Sequence, residues 1–392
     1  MSASASIWLV NPSGQRASGE FVDDTLVLRA REQGQTRRLT SAGEFPRQRV
    51  EVVRADDGWE ATNELYYRRG WTDGLPVVPP TIERVGAFVR KTGRGRDEVV
   101  AALEPLGGVA TVEKIAANAV MAGCEASHMA VLLPAVEALA EPDFYLNGVQ
   151  TTDENVAPLM VVNGPVRNTL EMNASFGALG PGWRGNAALG RALRLVMHNI
   201  GGGWPGAVSF AGLGQPARYT LCIAENEEES PWSALHVDHD FKPDESAVTL
   251  LRAESAINVT GGLHELASVM GSAASAFSIL YGGHVGVIIA PFTAQQCARE
   301  GMSKTDVKAY LHEHGRWSED EWKASWSHTV KSDFVWPEWV EAARGSGSIP
   351  VVGEPDDITI VVAGGNVPIA QQAYFPTWGF PPCRLMRGVE PV

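Results

Sequence analysis

The sequence predicts an α/β protein with a mixed, largely parallel sheet flanked by helices. Short apolar runs such as 157–165 and 285–291 end at turn residues, which is typical of buried strands. Segments with apolar residues at helical intervals stand between such runs, and this alternation favours β-α-β units. Because 44% of the 392 residues are hydrophobic, the chain can bury one large core or two ordinary ones.

The predicted elements fall into three parts. Residues 1–58 alternate short apolar pieces with turn residues, which predicts a short N-terminal β arm. Residues 59–240 form a first α/β half that contains a glycine-rich loop, and residues 241–392 form a second half. The helix–strand–helix pattern around VIIAP in the second half echoes the one around LMVVNGP in the first, which leaves a pseudo-duplicated sheet open.

Each element is predicted from its spacing and its flanking residues. Apolar residues at intervals of three and four indicate the helices, and Thr111 suits the N-cap of one of them. Continuous or alternating apolar runs that end in glycine, proline or asparagine indicate the strands. The predicted helices are 59–70, 81–93, 96–106, 111–124, 127–141, 186–201, 263–280, 292–301 and 303–315. The predicted strands are 157–165, 217–224, 246–253, 284–291 and 357–365.

Composition argues against several classes of protein. A net charge of −14 without a basic cluster argues against a nucleic-acid partner, because phosphate binding requires a basic surface. The apolar runs are too short to cross a bilayer, and the start MSASASIWLVNPSGQ lacks the features of a signal peptide. We therefore expect no membrane partner and a cytoplasmic location. Four cysteines without a CxxC pair predict neither a disulfide framework nor a zinc ribbon.

The segment GWTDGLPVVPP at 70–80 predicts a stiff, extended arm, here called the proline arm. Its three prolines fix φ and remove backbone donors, so it cannot lie inside a helix or a central strand. Such an arm can present Trp71, Thr72 and Asp73 to a substrate from one fixed position. The alternative is a turn in which Asp73 caps backbone donors before Gly74.

A glycine-rich loop, NASFGALGPGWRG at 173–185, leads into a predicted helix near Asn186. Free N–H groups, the helix dipole and a guanidinium could converge on an anion, with Arg184 just before the helix and Arg191 and Arg194 on its later turns. Asn173 and Trp183 would complete this substrate site. The alternative is that the glycines allow close packing and that Arg184 pairs with an acidic loop.

Two further segments carry groups that suit catalysis. In AENEEESPW, Glu225 and Glu227 flank Asn226 after a strand and suit a general base, with a charged surface loop as the alternative. Cys124 and His128 are four residues apart, so a continuous helix would pair a thiol with an imidazole as a nucleophile. An inert buried cysteine is the alternative.

The segment LHVDHDF at 235–241 suits a metal site. If it is an extended strand, His236, Asp238 and Asp240 share one face and could bind a divalent metal. Solvated side chains are the alternative. No other cofactor is predicted, since neither a P-loop lysine nor a GxGxxG fingerprint is present.

Five motifs occur in order: RRGWTDGLPVVPPT, EKIAANAVMAGC, GPGWRGNAALGRALRL, IAENEEESPW and APFTAQQCAREGMSKTDVKAYLHEHG. Together they resemble the C-terminal region of the UGSC-type (seleno)protein family over about residues 60–365. The resemblance implies no established reaction. The selenocysteine-Gly-Ser-Cys motif is absent, and Pro368, Ile369 and Ala370 stand where the resemblance implies a Gly-Lys-His-Ser-type turn. Either the chemistry or the substrate then differs from that of the family.

Three hypotheses about function follow. The first is an enzyme that acts on a small anionic organic molecule by proton transfer, as a lyase or hydrolase. The glycine-rich loop would hold the substrate, and Asp73 or Glu225 would move a proton. The second is a metal-dependent enzyme that uses the His/Asp/Cys groups. The third is a non-catalytic binding or partner subunit of a UGSC-like system. Exposed edges and apolar segments would suit a homodimer.

Overall fold

A computed structural model gives the fold, and it describes residues 6–10, 12, 52–56, 58–272, 284–325, 328–329, 335–369, 371–378 and 383–391. The strands are β1 (Ser6–Val10), β2 (Val52–Asp56), β3 (Val99–Leu103), β4 (Gly108–Thr111), β5 (Ala157–Asn163), β6 (Cys222–Ala224), β7 (Ser246–Ala253), β8 (Ile257–Thr260), β9 (Val285–Ile289), β10 (Arg316–Ser318), β11 (Ser348–Pro350), β12 (Ile358–Val362), β13 (Gln371–Pro376) and β14 (Leu385–Val389). The α-helices are α1 (Trp59–Arg69), α2 (Ile82–Thr92), α3 (Val112–Ala122), α4 (Met129–Leu139), α5 (Leu146–Thr151), α6 (Val166–Thr169), α7 (Arg184–Asn199), α8 (Leu263–Met270), α9 (Pro291–Arg299), α10 (Lys304–His314), α11 (Glu319–Ala324) and α12 (Glu338–Ala343).

Two four-stranded sheets form the centre of the molecule. The first has the order β14-β7-β5-β6 and the second the order β12-β9-β13-β8. In each sheet one pair is parallel, β5 with β6 and β9 with β12, and the other two pairs are antiparallel. The predicted α/β class with mixed sheets is confirmed, but the expectation of a largely parallel sheet is wrong.

The two sheets pack face to face, with helices on their outer faces. Along β5, Leu159 and Val161 pack against residues of the second sheet, such as Val361 and Phe375. The alternate residue Met160 belongs to the core beneath α3, α4 and α7. A strand whose successive side chains point to opposite faces therefore has to be apolar throughout, which explains the continuous run in the sequence.

The two sheets repeat one topology, which supports the pseudo-duplication that the sequence left open. β7 continues into β8 of the second sheet, and β13 continues towards β14 of the first. The two connections pair with each other: Glu254 N donates to Pro376 O at 2.8 Å, and Trp378 N donates to Arg252 O at 3.0 Å. Each sheet thus receives one edge strand from the other repeat: β8 follows β7 but joins the second sheet, and β14 follows β13 but joins the first.

The three predicted parts of the chain do not coincide with the two sheets. The boundary at residue 240 remains a prediction about domains, but the sheets do not follow it, since β7 and β14 complete the first sheet. In the predicted N-terminal arm, β1 and β2 pair antiparallel, and Val10 N donates to Pro80 O of the proline arm at 2.9 Å. The rest of residues 1–58, apart from Pro12 and Gly58, lies outside the described residues.

Several element predictions need correction. Segment 96–106 is not a helix but contains β3, which pairs with β4. The predicted strand 217–224 is a strand only over Cys222–Ala224. Thr111 does cap α3, because its Oγ1 accepts a hydrogen bond from Lys114 N at 3.3 Å. Part of the predicted helix 263–280 lies outside the described residues.

Candidate functional site

A cavity of about 670 Å³ lies between the proline arm and the loop of residues 204–219. Thr72 and Asp73 line it from the proline arm, and Arg194 and His198 line it from α7. The loop contributes the side chains of Trp204, Ser209, Arg218 and Tyr219, among others. Clefts of this size with a few convergent polar groups are the usual sites for small molecules. We call this space the arginine cavity.

Two guanidinium groups give the arginine cavity a positive lining. Arg194 is 8% exposed, and its Nη1 has no hydrogen-bond partner within the described part of the chain. The pKa of Arg194 is lowered to about 9, mainly by burial and also by the neighbouring Arg218 cation, while Asp73 acts in the opposite direction. Burial also lowers the pKa of Arg218, while Glu254 raises it. Both cations are therefore incompletely compensated by the protein.

His198 is fixed at the inner end of the arginine cavity. Its ring centroid lies 3.8 Å from that of Trp204, and its Nε2 lies 3.3 Å from the carbonyl oxygen of Gly70. Arg218 is fixed through Nη2, which donates to Ser209 Oγ at 2.9 Å. These contacts hold an imidazole and a guanidinium at one cavity without neutralising the positive charge.

Asp73 of the proline arm reaches the arginine cavity but is bound to a cation. Arg191 donates from Nε to Oδ2 at 2.8 Å and from Nη2 to Oδ1 at 2.9 Å, and Arg191 Nη2 also donates to Pro76 O at 2.9 Å. A carboxylate that accepts two hydrogen bonds from one guanidinium is engaged in a specific ion pair. Asp73 therefore lines the cavity while its carboxylate is held by Arg191.

The other proline-arm residues divide between turn and core. Thr72 Oγ1 accepts from Gly74 N at 2.8 Å and donates to Leu75 O at 3.0 Å, and Leu75 N donates to Asp73 Oδ1 at 3.1 Å. Thr72 and Asp73 therefore stabilise a turn, as in the alternative, and also line the arginine cavity. Trp71 is 1% exposed and packs edge-on against Tyr66, with ring centroids 5.2 Å apart. The prediction that Trp71 lines the substrate site is wrong.

The glycine-rich loop does not form the anion site that the sequence predicted. Asn173 N donates to Asn186 Oδ1, and Asn186 Nδ2 donates to Asn173 O, both at 2.8 Å, so the two asparagines close the loop on itself. The Arg184 side chain is 63% exposed and forms an ion pair with Glu125. This agrees with the alternative in which Arg184 pairs with a carboxylate of the protein. Trp183 is 47% exposed. None of these four residues lines the arginine cavity.

Glu225 and Glu227 converge as predicted, but in a buried network. Asn163 Nδ2 donates to Glu225 Oε2 at 2.6 Å and to Glu227 Oε1 at 3.1 Å. Leu235 N donates to the same Glu225 oxygen at 2.8 Å. Burial raises the pKa of Glu225, and Lys304 acts against that rise. Because Glu225 is 0% exposed, no substrate can reach it in this conformation.

Arg167, which the sequence analysis did not select, completes this network. It is 4% exposed and donates to Gly164 O at 3.0 Å and to Glu225 O at 2.6 Å. Its Nη1 and Nη2 donate to the two carboxylate oxygens of Glu228 at 3.2 and 3.0 Å, and Nε lies 3.1 Å from Glu227 Oε1. We call Asn163, Arg167, Glu225, Glu227 and Glu228 the strand-end network.

The predicted metal triad is not assembled. Residues Val237–His239 form a 3-10 turn rather than a strand, so His236, Asp238 and Asp240 do not share a face. His236 is buried with Nδ1 3.9 Å from Glu227, and burial lowers its pKa. Asp238 accepts from Lys304 Nζ at 2.6 Å, and Asp240 is exposed. Among the described residues, no three His, Cys, Asp or Glu side chains could together hold a metal.

Cys124 and His128 do not lie on one helix. Gly123, at φ 89°, ends α3, and a 3-10 turn over Ala126–His128 follows. Burial raises the pKa of the Cys124 thiol, and the Arg191 cation only partly opposes this. Burial lowers the pKa of His128, whose Nδ1 accepts from Glu125 N at 2.7 Å. The protonated thiol favours the inert alternative.

Sequence reasoning missed most of the arginine cavity, although one signal was available. Arg191, Arg194 and His198 are spaced by three and four residues, which places them on one face of α7. That face meets the proline arm. Arg218 and Trp204 carry no such signal, because they lie in a loop whose path depends on contacts distant in sequence.

Neither a family model nor a curated protein sequence matches this chain. The resemblance to the UGSC-type family therefore stays a prediction. Within the described ranges, no helix combines the length and the apolar character needed to cross a membrane.

Proposed function

We propose that this chain is an enzyme that binds a small organic anion in the arginine cavity and acts on it by proton transfer, as a lyase or hydrolase. The observation that carries the proposal is the pair of guanidinium groups in the lining: Arg194 is buried and has a donor without a partner among the described residues, and Arg218 is half-buried. A buried cation is costly unless an anion pairs with it. A carboxylate or phosphate group between Arg194 and Arg218 would supply the missing acceptor.

The rest of the lining indicates the shape of that anion. Trp204, Tyr67 and Tyr219 present aromatic surface beside the two cations. Aromatic side chains bind apolar groups well and tolerate a nearby charge. The lining therefore favours an organic molecule with one anionic end and one apolar part over an inorganic ion.

His198 is the group that we assign to proton transfer. An imidazole can donate or accept a proton near neutral pH, and His198 lines the cavity beside Arg194. Asp73 is bound by Arg191, and Glu225 is sealed in the strand-end network. A cytoplasmic location and a homodimer remain predictions from the sequence.

Isothermal titration with benzoate tests the binding step. The Arg194→Gln variant should bind benzoate at least tenfold more weakly, since a charge-assisted hydrogen bond contributes roughly 1.5–3 kcal/mol. Arg184→Gln is the matched control, because Arg184 begins the same helix but is exposed outside the cavity. Equal loss in both variants, or in neither, would refute the proposed site.

Turnover tests the chemical step. The protein is incubated with a panel of carboxylate and phosphate compounds, and products are detected by NMR. A His198→Gln variant should keep benzoate affinity within a few-fold and lose turnover of any substrate found. The non-catalytic alternative is favoured by the ion pairing of Asp73, and it predicts binding without product for every compound that binds.

A further inference from the structure

A buried carboxylate, Glu254, lies behind the wall of the arginine cavity. It is 7% exposed, and its Oε1 accepts a hydrogen bond from Asn155 N at 3.0 Å. Its Oε2 is buried and has no hydrogen-bond partner in the described part of the chain. Glu254 does not line the cavity, so a substrate would not touch it.

Glu254 is connected to the loop that carries Arg218. Asn155, which donates to Glu254, also accepts through Oδ1 from Gly214 N at 2.7 Å. Gln215 Nε2 donates to the main-chain oxygens of both Asn155 and Glu254. Gly214, Gln215 and Arg218 all line the cavity. The carboxylate and the cavity wall therefore form one hydrogen-bonded unit.

The charged groups near Glu254 shift its pKa in opposite directions. The pKa of Glu254 is raised to about 7, mainly by burial, because burial and the Glu154 charge outweigh the hydrogen bonds from Asn155 and the Arg218 cation, which lower it. Across the loop, the cavity presents Arg194 and His198, and Asp73 lies there paired with Arg191. Arg218 is thus the cation that Glu254 and a bound anion would share.

We propose that Glu254 takes up a proton from solvent when an anion binds in the arginine cavity, so that the site binds the anion and a proton together. The inference rests on the proposed anion site. An anion beside Arg218 competes with the ionised form of Glu254 for the same cation and repels it. By linkage, protonation of Glu254 strengthens anion binding by the same factor. Glu254 acts through Arg218 and is a positioning residue.

Isothermal titration at several pH values tests this coupling. Benzoate and sulfate are the probes, because neither titrates between pH 6 and pH 8.5. Titrations in two buffers with different ionisation enthalpies give the protons taken up. For the unaltered protein we expect proton uptake that is largest near pH 7, and affinity that falls roughly fivefold or more from pH 6 to pH 8.5.

The variant Glu254→Gln should abolish both effects. Its affinity at pH 8.5 should equal that of the unaltered protein at pH 6, because the glutamine mimics the protonated carboxyl. Asp153→Asn is the control, since Asp153 is an exposed carboxylate in the segment that precedes Asn155, and it should behave as the unaltered protein does.

The possible failures are distinguishable. If neither probe binds at any pH, the proposed function and this inference both fail. If a probe binds without proton uptake, only this inference fails. If Glu254→Gln retains the uptake, this inference also fails, and another group of the cavity takes up the proton. Should Glu254→Gln not fold, carboxyl ¹³C NMR of the unaltered protein decides. A carboxyl that titrates near pH 7 should move to higher pH with sulfate, and no movement overturns the coupling.

Discussion

The strand-end network and the arginine cavity both bury arginines, but they treat them differently. Arg167 donates to two main-chain oxygens and to the carboxylate of Glu228, so its charge is neutralised inside the protein. Arg194 lines an open space with a donor unused among the described residues, and Arg218, in the same lining, donates to the neutral hydroxyl of Ser209. A buried charge whose hydrogen bonds are all made within the protein links strands and loops to each other. A buried charge with an unused donor beside a cavity indicates a ligand.

Removing Arg167 should produce the largest effect. Arg167→Met removes the ion pair with Glu227, both donors to the Glu228 carboxylate and the side-chain donors to Gly164 O and Glu225 O. Breaking a buried ion pair typically costs about 3–5 kcal/mol. Urea denaturation should show a loss of about that size in the free energy of unfolding. Benzoate affinity of the folded protein should not change.

The control for this change is Arg68→Met. Arg68 pairs with Glu64 at 2.6 Å, but the two side chains are 58% and 57% exposed, so the loss should be below about 1 kcal/mol. If Arg167→Met weakened benzoate binding as strongly as Arg194→Gln does, the strand-end network and the arginine cavity would act as one site, and the separate structural role of Arg167 would be refuted.

Glu254 should give the next largest effect, through pH. Its pKa is about 7 in the folded protein against 4.5 without the fold, so its contribution to stability is present below pH 4.5 and is lost as the pH rises through 7. Relative to Glu254→Gln, the unaltered protein should lose roughly 3 kcal/mol of unfolding free energy between pH 4.5 and pH 8. Denaturation of both proteins across this range measures the difference, and parallel pH profiles would contradict the prediction.

The core strands could be predicted from the sequence because their signal is local. Segments 157–165 and 246–253 are mostly apolar and almost wholly buried over their strands, since each strand lies between a second sheet and a layer of helices. Segment 96–106 was predicted wrongly because pairing between β3 and β4 decides its structure, and spacing does not report pairing. The exchange of β8 and β14 between the sheets depends likewise on contacts distant in sequence.

The site could be predicted only in part for a related reason. Thr72 and Asp73 of the proline arm line the cavity. The opposite wall was assigned to the loop of Arg184, but that loop is closed by its own asparagines. Residue type identifies groups capable of binding an anion. Which guanidinium meets a carboxylate, and which remains unpaired, depends on the fold.

Asp73→Asn should give an effect of intermediate size. The amide cannot accept both hydrogen bonds from Arg191, so we expect a loss of about 1–3 kcal/mol in unfolding free energy. Arg191 would then add uncompensated positive charge, and benzoate affinity should rise several-fold in titration calorimetry. Turnover should persist if His198 moves the proton. Loss of turnover with intact binding would instead restore Asp73 as the catalytic carboxylate.

Cys124→Ala should give the smallest effect. The Cys124 thiol lies near enough to Arg191 for the cation to favour the thiolate, yet burial raises the pKa more strongly, so the sulfur stays protonated at neutral pH. Alanine keeps the site apolar, and the unfolding free energy should change by about 1 kcal/mol or less. Turnover should stay within twofold, as a product assay would show. A tenfold loss of turnover without a loss of stability would contradict this prediction. It would mean that the Cys124 thiol takes part in the reaction as a thiolate that the Arg191 cation stabilises.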